Sequence, residues 1–108
     1  MKSKYVILAS ALLISVATFA QKDQIKSAEK ALKNGDAQGA LAILKDAENL
    51  VVNAKDVEQA QYYFVQANSY LDLANKKVEE GKNLSLAAET YKKLIDVEKA
   101  SGKLKYST

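Results

Sequence analysis

Few side chains in this sequence could carry chemistry: adjacent carboxylates at Glu79 and Glu80, and the tyrosines Tyr62, Tyr63, Tyr70 and Tyr91. Two neighbouring acids divide acid and base work only when burial or a charged partner drives their pKa values apart. Glu79 and Glu80 stand in a lysine-flanked stretch with Lys76, Lys77 and Lys82, which reads as a solvated helix end. The tyrosines recur at helical spacing, so they are core residues first and ligand contacts second. Tyr62 falls beside the main apolar stripe and is the tyrosine best placed to meet a partner.

The residues that are missing narrow the chemistry further. There is no Cys, His, Trp or Pro among the 108 residues, and every basic residue is lysine. Zinc, haem and iron–sulfur sites lose their usual ligands, and there is neither a thiol nucleophile nor an imidazole base. The expectation is a non-enzyme that needs no cofactor and no metal. The formal charge of +3 includes Lys2 and Lys4, which lie in a segment expected to be removed, so the remainder is close to neutral. Interspersed charges without a guanidinium give no support to nucleic-acid binding.

That removable segment is residues 1–20. It has a basic start at Lys2 and Lys4, an apolar run from Tyr5 to Ala17 broken only by Ser10 and Ser15, and a small-residue exit at Thr18, Phe19 and Ala20. These are the three parts of a signal peptide, with the cut expected after Ala20. The run is shorter than the roughly 20 apolar residues that a spanning helix needs. Export to the periplasm or out of the cell follows, with no stable membrane insertion after cleavage.

The positioning elements are four predicted helices. From about Asp23 to Asn34, Ile25, Ala28, Ala31 and Leu32 share one face, and Gly35 with Asp36 supplies a helix stop followed by a cap. From Ala37 to about Val52 the stripe is Ala40, Leu41, Leu44, Ala47 and Val51. Asp56, followed by Gln59, resembles a capping box and opens a third helix with Ala60, Tyr63, Phe64, Ala67, Tyr70, Leu71 and Ala74 on its stripe. A break is predicted over 80–83. The last helix then carries Leu84, Ala87, Ala88, Tyr91, Leu94 and Ile95 on one face and ends at Ser101 and Gly102. Strand signals are absent, so the fold class is all-α: two antiparallel hairpins, about 21–54 and 55–102, followed by a terminal tail, 103–108.

The two hairpins are self-similar. Tyr63, Ala67 and Tyr70, with Asn68 and Leu71 interleaved, form a large–small–aromatic series, and Ala40, Leu44 and Ala47 form a small–bulky–small one. This pattern resembles the tetratricopeptide repeat, in the style of exported repeat proteins of Bacteroidetes-type bacteria. It departs from the family where Trp and the closing Pro are missing and where Gln66 replaces the usual leucine. Matching positions, Ala28 with Ala67 and Ala40 with Ala87, also lie further apart than the family period of about 34 residues. The surplus is assigned to an extended third helix and a longer loop between Asn75 and Asn83.

The resemblance implies a short right-handed superhelix whose leading helices line a concave groove. Lys22, Glu29, Lys33, Gln61, Asn68 and Asp72 are its expected lining, joined by Tyr62. In the family an Asn at the place of Asn68 contacts a partner's peptide backbone. The lysine usual one turn earlier is replaced by Phe64, which argues against capture of a carboxylate terminus. The implied function is a non-catalytic adaptor for a protein or peptide. The alternatives are a stand-alone structural four-helix bundle and the N-terminal segment of a larger envelope protein. Solenoids need about three repeats and a polar cap. Two repeats and the uncapped tail at Lys103 to Thr108 therefore suggest a piece of a longer array, or an open end that takes further repeats or self-associates.

Overall fold

The computed structural model describes residues 22–106, and every regular element among them is an α-helix. They are α1, described over 22–33, then α2 (Ala37–Val51), α3 (Asp56–Asn75) and α4 (Glu80–Ser101). The expected leader, with its cut after Ala20, lies outside the described residues.

The first turn follows directly from its residues. Gly35 takes φ +84°, a conformation open to it because it has no Cβ. Its N–H donates to the carbonyl of Leu32 and that of Asp36 to the carbonyl of Ala31, which together satisfy the free end of α1. Asp36 then serves α2, its carboxylate accepting from the Gly39 amide at 2.9 Å.

The other two turns differ from the sequence expectation. Asp56 does not close a capping box; the residue before α3 is Lys55, without a side-chain cap. Gln59 instead donates Nε2 to the carbonyls of Val52 and Ala54, at 3.2 and 3.1 Å, and pins the preceding turn. The break expected over 80–83 lies at 76–79, so α4 starts at Glu80 and runs through Gly81. Here a lysine closes the helix: Lys77, at φ +66°, donates to Ala74, and Val78 donates to Leu73. Asn83 bonds back to the Val78 carbonyl from a buried site and fixes the start of α4. Of the surplus expected between Asn75 and Asn83 as an extended third helix and a longer loop, the turn keeps 76–79 and α4 takes 80–83, while α3 ends at Asn75.

The central helix is α3, which packs on both α2 and α4, whereas the backbones of α2 and α4 stay apart. One flank of α3 carries Tyr62 and Val65 into a core with Ile25 and Ala28 of α1 and Ala40, Leu44, Ala47 and Val51 of α2. Small residues let the helix axes approach there. Because two flanks are covered, α3 has no single stripe. Ala60, Ala67 and Ala74 are buried as expected, but Tyr63, Phe64, Tyr70 and Leu71 are only half-buried. Ser69 is fully enclosed, its hydroxyl donating to the Val65 carbonyl of its own helix at 2.7 Å.

The buried face of α4 is rotated from the predicted one. Asn83, Ala87, Thr90, Leu94 and Glu98 are buried, while Leu84 and Ile95 remain 45% and 37% exposed. Thr90 enters the interface by bonding its hydroxyl to the Leu86 carbonyl, so a polar residue costs little there. The helix ends where expected, with Gly102 at φ +75°.

Candidate functional site

A cavity of about 470 Å³ lies between α1, α3 and the tail. From α1 it is lined by Glu29, Leu32 and Lys33, from α3 by Gln61, Phe64, Val65 and Asn68, and from the tail by Lys105 and Tyr106. Four of the residues expected on a concave surface, Glu29, Lys33, Gln61 and Asn68, thus meet at one place. Helical geometry explains this, because Gln61, Phe64 and Asn68 follow one another at spacings of three and four along one face of α3.

The polar groups are fixed in a definite sense. Lys33 pairs with Glu29 at 3.2 Å, and Gln61 donates Nε2 to the other Glu29 oxygen at 3.3 Å. These two partners, Lys33 first, hold the Glu29 carboxyl below the usual carboxylate range against the opposing effect of burial. On the other side of α3, the Tyr91 hydroxyl of α4 donates to Asn68 Oδ1, and burial pushes the Tyr91 phenol up. With Oδ1 engaged, Asn68 keeps its NH₂ to donate; with Nε2 engaged, Gln61 keeps its carbonyl oxygen to accept.

Lys22 and Asp72 do not join the cavity lining. Lys22 pairs with Glu58 of α3 at 3.5 Å, and Asp72 with Lys76 at 2.9 Å. Tyr62 is corrected from a surface position to a core one: it is 4% exposed and donates its hydroxyl to the Leu44 carbonyl at 3.0 Å. Burial first, and the Glu48 charge second, push its phenol up to about 12. Its flank of α3 turns toward α1 and α2, which a stripe fitted to a single buried face could not reveal.

The tail contributes a wall that the sequence did not signal. Glu98 is 2% exposed, and its carboxylate accepts from the backbone amides of Lys105, at 2.8 Å, and Tyr106, at 3.0 Å. The chain is thereby folded back so that the Tyr106 ring stacks on Phe64. The expected uncapped terminus is therefore tied down as far as Tyr106. Glu79 and Glu80 are exposed beside Lys82 and Lys77, at 3.9 and 3.4 Å, and make no acid–base pair with each other. Among the described residues no cluster of three or more His, Cys, Asp or Glu is placed to hold a metal ion, and no helix is long and apolar enough to cross a membrane. Comparison with family models, with curated proteins and with solved structures finds no match to the chain.

Proposed function

We propose that this chain is a non-catalytic protein-interaction scaffold of tetratricopeptide-like type, exported to the periplasm or out of the cell, and that it takes an extended peptide in the cavity between α1, α3 and the tail. In this reading the two hairpins stack as a short right-handed superhelix, with α1 and α3 as leading helices.

The observation that carries the reading is the pair of committed amides. Asn68 offers a donor and Gln61 an acceptor, two turns apart on one face of α3, about 10.5 Å at the helical rise. In an extended chain the N–H of one residue and the C=O of the second residue beyond it point to the same side, roughly 9 Å apart, so such a pair can meet Gln61 and Asn68 together. Between them Phe64, Leu32 and Val65 offer an apolar floor for one side chain of the peptide. Backbone recognition of this kind needs no titrating group, in keeping with a sequence that lacks histidine and cysteine.

A scaffold is favoured over a sealed structural bundle by the tyrosines. Tyr63, Tyr70 and Tyr91 are all half-buried, whereas a closed four-helix bundle would enclose them. The test is selection of displayed peptides on the full chain, counter-selected on Gln61→Ala and Asn68→Ala proteins. The reading expects peptides that lose at least ten-fold in affinity on either variant. Selected peptides that bind both variants as well as the parent would refute it.

A further inference from the structure

On the side of α3 opposite the Gln61–Asn68 row, two cavities of about 410 and 120 Å³ meet at Glu48, Tyr62 and Gln66. Tyr62, Gln66 and Tyr70 follow one another at spacings of four along α3, and Leu41, Lys45 and Glu48 at four and three along α2. Each helix therefore turns one row of side chains into the larger cavity. The smaller cavity continues past Tyr63 and Val52 to Lys93 of α4. The larger alone falls within the range of about 300–1,000 Å³ common to small-ligand sites.

The polar groups of this trough are uncommitted. Among the described residues, the Lys45 and Lys93 ammoniums, the Glu48 carboxylate, the Gln66 amide and the Tyr63 and Tyr70 hydroxyls take part in no hydrogen bond or ion pair. Tyr62 differs, because its hydroxyl is engaged by the Leu44 carbonyl and it brings only ring carbon to the trough. Lys45 and Glu48 stand one turn apart without pairing, although an ammonium only donates and a carboxylate only accepts. A hydroxyl bridges two such groups with a single atom, accepting from one and donating to the other. Each cavity holds one ammonium and one carboxylate, Lys45 or Lys93 with the shared Glu48, so a charged ligand meets a like charge in either. The walls are more polar than apolar, the reverse of the cavity beside Asn68.

We infer that this trough binds a short neutral oligosaccharide, whose hydroxyls bridge the unpaired donors and acceptors and whose C–H faces lie on the tyrosine rings. The site shares no residue with the peptide cavity and does not depend on peptide capture there.

The test is a printed array of neutral, uronate-containing and amino oligosaccharides probed with the full chain, followed by NMR titration of the labelled chain with the strongest neutral binder. A neutral oligosaccharide is expected to bind at least ten-fold more tightly than its uronate or amino counterpart. It should shift the side-chain amide of Gln66 and the ring of Tyr70, and leave the amides of Gln61 and Asn68 in place. Gln66→Ala, at a half-buried position, should weaken binding at least ten-fold, and Tyr70→Phe, which keeps the ring, about three-fold. Both variants should retain helical circular dichroism, and Gln61→Ala should bind as the parent does. Binding of no neutral oligosaccharide, equal binding of the charged ones, or shifts outside the trough would overturn the proposal. So would an extended peptide that shifts Gln66 and Tyr70 when no oligosaccharide does, because the occupant would then be a protein segment.

Discussion

Tyr106 stacks on Phe64 with ring centroids 4.2 Å apart and ring planes 18° from parallel, joining the last described residue to the middle of α3. The contact works together with Glu98, whose buried carboxylate holds the two amides that bring Tyr106 into place. The tail is consequently part of the cavity wall, and several consequences can be measured.

Replacing Glu98 by Ala should release the tail. Hydrogen bonds to a charged acceptor contribute about 1.5–3 kcal/mol, so a loss of stability of roughly 2–3 kcal/mol is expected in urea unfolding. Tyr106→Ala should cost less, about 1 kcal/mol, from the lost stacking. In both variants the Phe64 ring resonances should move in NMR spectra.

The core among α1, α2 and α3 should be sensitive to volume, and the outer face of α4 should not. Leu44 is fully buried, so Leu44→Ala is expected to cost about 2–5 kcal/mol. Leu84→Ala should change stability by about 0.5 kcal/mol or less. Similar costs for the two would contradict the assignment of faces.

Tyr62 sets a limit at alkaline pH. Its folded pKa of about 12 exceeds the ordinary value of 10, so the unfolded chain releases this proton first as pH rises. The contribution is complete below pH 10, declines as pH rises from about 10 toward 12, and is lost beyond it. Each unit between the two values corresponds to roughly 1.4 kcal/mol. Tyr62→Phe should flatten this part of the stability–pH curve, while costing about 1 kcal/mol at neutral pH for the lost bond to Leu44.

Gly35 and Lys77, both left-handed, should respond to substitution in opposite directions. Gly35→Ala forces a Cβ into φ +84° and should destabilise by about 1–2 kcal/mol. Lys77→Gly relieves the same strain at φ +66° and should stabilise by up to about 1 kcal/mol. Thermal melts of the two proteins, side by side, decide the point.

The helices were legible because two of their boundaries are written in residue types: Gly35 with Asp36, and Gly102. The turn over 76–79 was not, because a lysine and a glutamate, Lys77 and Glu79, occupy its left-handed positions and Gly81 drew the break to the wrong place. Faces were harder to read than elements. A helix packed on two sides, as α3 is, buries Tyr62 and Val65 in one direction and Ala60 and Ala67 in another, so a single stripe describes neither. On α4, Thr90 and Asn83 entered the buried face by bonding to nearby carbonyls, which hydrophobic periodicity does not detect. Of the expected concave surface, Glu29, Lys33, Gln61 and Asn68 came together because their spacing along α1 and α3 is regular. The contribution of Tyr106 depends on a long-range bond to Glu98 that no local pattern announces.

Site-specific photo-cross-linking in the cell of origin tests the central claim most directly. A photoreactive residue at Gln61, inside the cavity, is expected to yield one defined adduct with an exported protein, and the same residue at exposed Asp46 on α2 is expected to yield none. No adduct from Gln61, or the same adducts from both positions, would contradict the account.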